Sequence, residues 1–169
     1  RRYYLCHAML NRLLDEQEQV FRYSEKVVQW WDKHPQIKIE EFHKYVVDVS
    51  NLVNSCYQNG QRMDEAQQYV SKLQAEQEKE GIGYNSQRVA FQKVSISNLL
   101  HLFNQGDFKA AEAVLPEIFE GIDRFNLKKS VVLIGNIITV LFILKKYEDC
   151  LFWCTHLLEN IKIGRRKDI

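Results

Sequence analysis

The 169-residue chain carries 23 Lys and Arg against 22 Asp and Glu, a formal net charge of +1, so it has no global field to draw it onto nucleic acid or an anionic membrane. An apolar fraction of 46% beside 27% charged residues excludes the composition of a disordered segment. Only 7 glycines and 2 prolines leave too little punctuation for many short strands, and the expectation is an all-α protein.

Apolar residues recur at three- and four-residue intervals and predict eight helices, over 2–14, 16–33, 38–58, 62–79, 85–104, 107–124, 127–145 and 147–162. The first turn falls at Asp15-Glu16. In the second helix Trp30 and Trp31 are adjacent, about 100° apart around the axis, so one of them is expected to be fully buried. His34-Pro35 ends that helix. Glu40-Glu41, next to His43, read as acidic residues facing the dipole of the third helix. Asn59-Gly60, Gly81 to Gly83 and Gln105-Gly106-Asp107 end the third, fourth and fifth helices. Such short breaks make sequential helices antiparallel neighbours.

Pro116 lies inside the sixth predicted helix and deletes the hydrogen bond to the Glu112 carbonyl, at a cost of about 3 kcal/mol if unaccommodated, so a kink is expected there. Val131 to Leu144 reads VVLIGNIITVLFIL between Lys128-Lys129 and Lys145-Lys146. Those residues rise only about 21 Å as a helix against a hydrocarbon core of about 30 Å. The expected structure is a buried inner helix and no membrane span. In the eighth helix Glu148-Asp149 occupy the first turn and Trp153 reads as a core residue. Leu151, Leu158 and Ile161 form an apolar face without a covering neighbour. Arg165 to Ile169 read as the start of another first helix, so residues 1–169 are expected to be one domain cut from a longer array.

Self-comparison shows a repeat. Ser50-Asn51-Leu52-Val53, Ser97-Asn98-Leu99-Leu100 and Gly135-Asn136-Ile137-Ile138 each place a small residue, Asn and two aliphatics in a first helix. A turn marked by Met63, Phe108 or Tyr147 follows, with a small residue three positions on: Ala66, Ala111 and Cys150. Where two helices of a hairpin cross near their turn, a small side chain permits close approach and the aromatic or Met beside it fills the gap.

In Gly106-Asp107-Phe108-Lys109-Ala110-Ala111, and in Asn59-Gly60 through Ala66, the sequence resembles the tetratricopeptide repeat family. Nearly the whole chain is also similar to long-helix tetratricopeptide-like proteins of Bacteroidetes. Two features depart from the family pattern. The turn landmarks lie 45 residues apart (Met63 to Phe108) and then 39 (Phe108 to Tyr147), against the usual 34, and the regular Trp-Leu-Gly-Tyr signature is absent. The resemblance implies a right-handed α-α superhelix of about four antiparallel helix pairs, in which first helices line a concave face and Asn residues bond an extended peptide. It makes Asn51, Asn98 and Asn136, with their neighbours Asn54, His101 and Thr139, candidate peptide-binding residues. The competing role for each Asn is a bond to a neighbouring helix that fixes the register of the repeats.

Catalytic chemistry is not suggested. No nucleophile motif, Gly-rich phosphate loop, HExxH or paired-carboxylate motif is present, and the histidines are scattered. Cys6, Cys56, Cys150 and Cys154 lack CxxC spacing and read as reduced core residues. Cys154 and His156 point about 200° apart on a helix, which argues against a metal there. The expectation is a non-enzymatic, cytoplasmic scaffold without cofactor or metal that binds an unidentified protein or peptide. Two alternatives are a peptide-sensing regulatory domain of a larger bacterial transcription regulator and a self-association module.

Overall fold

The computed structural model describes residues 1–59, 62–77 and 82–160, and all regular structure among these residues is helical. The helices are α1 (Arg2–Leu13), α2 (Gln17–Asp32), α3 (Pro35–Glu40), α4 (Phe42–Asn59), α5 (Met63–Gln77), α6 (Tyr84–Gln105), α7 (Phe108–Ala113), α8 (Leu115–Arg124), α9 (Val131–Ile143) and α10 (Tyr147–Asn160). They fall into two compact units, residues 1–101 and 102–169. The expected turn at Gly60, the glycine at 81, Ile161 and the expected helix start at 165–169 lie outside the described residues.

In the first unit α1 packs on α2, α2 on α4 and α4 on α5. The pattern follows from spacing: α2 buries Val20, Ser24, Val27, Val28 and Trp31 on one face, and α4 buries Phe42, Tyr45, Val46, Val49, Leu52, Val53 and Cys56. Trp31 is fully buried and Trp30 half-buried, as their adjacency requires. Ala66 and Ala111, the small residues after two of the turns, have no exposed surface, and Ala66 lies within the continuous core of the unit. At the corresponding position Cys150 is half-buried, its thiol donating to the Ile138 carbonyl at 3.7 Å.

A buried carboxylate ties α1, α2 and α4 together. Asp48 is 3% exposed, and its Oδ2 accepts from the indole Nε1–H of Trp31 and from Nε of Arg1, each at 2.7 Å. A second charged group links α3 to α5, where the Lys38 ammonium sits 4.3 Å above the Tyr45 ring and bonds Glu76.

Four helices end in the same way. Asp15, Gly106, Asn126 and Lys145 have φ of 58°, 71°, 51° and 61°. In each case the N–H of the next residue reaches back to a carbonyl five residues earlier, as in Glu16 to Asn11, Asp107 to Leu102, Leu127 to Ile122 and Lys146 to Leu141. This is the Schellman arrangement, which satisfies carbonyls the helix leaves open. Only Gly106 adopts the left-handed conformation without a side-chain penalty. Asp107 then caps α7, accepting from Ala110 N at 3.0 Å.

Three expectations are corrected. Pro35 starts the short helix α3 as well as following α2, because a first-turn proline has no N–H to lose. The sixth predicted helix is not kinked but divided: Val114 (φ −88°, ψ −9°) separates α7 from α8, which places Pro116 in the first turn of α8. The seventh helix begins at Val131, since the cap at Asn126 turns the chain, and it is buried on one face only. Leu133, Ile134, Ile137, Val140 and Leu141 are covered, whereas Val132 and Phe142 are each 61% exposed. No helix among the described residues is long and apolar enough to cross a membrane.

Candidate functional site

In the second unit α9 packs against both α10 and α7, and a groove of about 540 Å³ opens beside it, lined by α8, α9 and α10. Its volume is in the range of small-ligand and side-chain pockets. The floor is apolar: Leu115 and Ile122 come from α8 and Leu141 from α9, all buried. On α8 the residues 115, 119 and 122 follow helical spacing, so Phe119 projects along the same face as the floor residues.

The walls are aromatic. Phe119 of α8 stacks on Trp153 of α10, with ring centroids 4.9 Å apart and planes at 22°. Phe152 meets Trp153 edge-on at 5.6 Å and 84°, and His156 meets it at 5.3 Å and 74°. Phe152 and His156, one turn apart, are near-parallel at 5.9 Å and 22°. Two roughly perpendicular ring orientations therefore face the groove, and Phe152 is 61% exposed.

The rim is charged. Lys128 pairs with Asp123 at 3.1 Å and Lys146 pairs with Glu112; Asp149, in the first turn of α10, also lines the groove. The bond to Glu112 and that group's charge raise the pKa of Lys146, with Asp149 a further contributor. Glu112, Asp123 and Asp149 against Lys128 and Lys146 leave one carboxylate in excess. The site offers stacking surface, a desolvated floor and a carboxylate for a charged or polar group.

None of the six candidate peptide-binding residues read from the sequence lines this groove. Asn51 and Asn98 are half-buried on α4 and α6, and Asn54 is exposed on α4. His101 is 8% exposed, its ring 6.4 Å from that of Tyr57, and its Nδ1 is buried without a hydrogen-bond partner among the described residues. Tyr57 donates its hydroxyl to the Ser97 carbonyl at 3.2 Å. In the second unit Asn136 donates to the Val132 carbonyl and Thr139 to the Gly135 carbonyl, each at 2.9 Å and within α9. Asn51, Asn54, Asn98 and His101 thus belong to one unit, and Asn136 and Thr139 to the other.

Trp153, expected in the core, is half-buried and part of the groove wall. Of the cysteines, Cys56 is buried in the core as expected, whereas Cys150 and Cys154 are half-buried and Cys6 is exposed on α1. Among the described residues no cluster of three or more His, Cys, Asp or Glu side chains is placed to hold a metal ion.

No protein-family model matches the chain, and neither a curated protein nor a solved structure matches it significantly.

Proposed function

We propose that the chain is a binding module of the helical-repeat kind, which holds a segment of a protein partner in the groove beside α8 and α10. The observation that carries this reading is the groove itself: an apolar floor, aromatic walls in two orientations and a charged rim are the ingredients of an interface anchor pocket. Catalysis is not part of the proposal. The repeat reading is supported by hairpins α1–α2 and α9–α10 with short turns, by the packing of α4 on α5 and by the recurring caps. It is supported further by the 34 residues that separate the stacked pair Phe119 and Trp153. A tetratricopeptide-like superhelix belongs to the same proposal.

The groove is lined mainly by α8 and α10, with Leu141 contributed by α9, whereas Asn51, Asn98 and Asn136 lie on the helices read as first. Asn136 spends its amide donor on its own helix, which weakens its claim to a peptide backbone. The groove is therefore placed ahead of the Asn row as the partner site. The test is selection of binders from a random peptide display library against the whole chain. Enriched peptides should lose about tenfold or more in affinity on Trp153→Ala and keep it on Asn98→Ala. The opposite pattern, or binding indifferent to both, overturns the proposal.

A further inference from the structure

The first unit contains a worked example of how this chain binds a guanidinium. Glu18 and Phe21 are three residues apart at the start of α2, and Arg62 uses both. Its Nη2 bonds Glu18 at 3.2 Å while its guanidinium carbon lies 3.9 Å from the centroid of the Phe21 ring. Arg1 repeats the combination, 4.9 Å from the Trp31 ring centroid and 2.7 Å from Asp48. Lys38 does so again with Tyr45 and Glu76. A carboxylate beside a ring face recurs as a seat for a cation because the negative face of the ring and the carboxylate attract the same charge.

Asp149 and Phe152 at the start of α10 reproduce the spacing of Glu18 and Phe21, and both line the groove. Trp153 stands one residue further on, so a carboxylate and two rings lie within one helical turn. The two lysines of the rim are engaged with Asp123 and Glu112. Among the described residues no Lys or Arg of the chain lies over Phe152 or Trp153.

We infer that this corner of the groove seats an arginine side chain of the protein partner, an inference that rests on the groove being the partner site. Arginine fits better than lysine because its planar, weakly hydrated guanidinium stacks on rings and bonds a carboxylate through two N–H groups at once. An acidic anchor meets the excess carboxylate. A purely apolar one leaves the rim charges to be desolvated without return.

The experiment is a titration of the whole 15N-labelled chain, observed at the Trp153 indole N–H resonance. The probes are N-acetyl-arginine methylamide, its citrulline counterpart and its norleucine counterpart. The arginine probe should shift that resonance and bind about fivefold or more tighter than citrulline, an advantage lost in Asp149→Asn and in Phe152→Leu. Equal binding of citrulline, or an arginine advantage that survives Asp149→Asn, overturns the inference. Norleucine binding as tightly as arginine overturns it too while leaving the groove as partner site, whereas silence of Trp153 toward all three probes overturns both. A Trp153 shift that grows with protein concentration alone assigns the seat to a second copy of the chain and overturns the partner assignment.

Discussion

Replacing Asp48 by alanine removes the one acceptor shared by Trp31 and Arg1 at the junction of α1, α2 and α4. The two donors respond differently. Trp31 has no exposed surface, so its indole N–H cannot turn to water and forfeits a bond to a charged acceptor, about 1.5–3 kcal/mol. The Arg1 side chain is 20% exposed and recovers part of its hydration. The expected loss is therefore about 3 kcal/mol, the low end of the range for breaking a buried pair from one side. Asp48→Asn keeps an acceptor for the indole and should cost about half as much, whereas Arg1→Ala strips the buried carboxylate of its counter-ion and should cost about as much as Asp48→Ala. Urea denaturation followed through tryptophan emission measures all three as shifts of the midpoint at constant m. A loss below about 1 kcal/mol for Asp48→Ala, or identical losses for the alanine and asparagine variants, refutes the assignment of Asp48 as the acceptor that joins these helices.

Lys145→Gly should stabilise the second unit by up to about 1 kcal/mol, since it removes the left-handed strain at φ 61° and keeps the cap; a destabilised variant contradicts the cap reading. Burial pushes the Cys56 thiol from its ordinary value near 9 up to about 12, and the hydroxyls of Tyr57 and Tyr69 from near 10 up to about 12. The unfolded chain releases these protons first. Their contribution to stability is complete below pH 9 and falls as the pH rises toward 12. Urea midpoints that stay level between pH 8 and 11 contradict that. Native alkylation with iodoacetamide should modify exposed Cys6 quickly and buried Cys56 only on unfolding; comparable rates measured by mass spectrometry refute the burial.

Helix periodicity alone located most of the elements, because three- and four-residue spacing is what a buried helical face requires. The differences have local causes. Pro35 reads as a stop, yet the same residue suits the first turn of α3. Asp15, Asn126 and Lys145 turn the chain without glycine: Asn and Asp tolerate the left-handed region but occur widely outside it, and nothing in the identity of Lys145 marks such a cap. The run in α9 is apolar all round, and a sequence cannot say that only one side has a neighbour. Asn136 was legible as part of a repeat, but its bond to the Val132 carbonyl depends on a rotamer. The groove was hidden for a related reason: Phe119 and Trp153 meet only when α8 and α10 lie side by side, and each alone reads as a core aromatic. Their 34-residue separation was the available signal, obscured by turn landmarks spaced at 45 and 39.

A resonance footprint of a display-selected peptide on the labelled chain locates the partner segment directly. The Trp153 indole and the aromatic resonances of Phe119 and Phe152 should move together, with the side-chain amides of Asn51, Asn98 and Asn136 left in place. Shifts gathered on those three amides, with the Trp153 indole still, would contradict the groove and return the binding face to the Asn row.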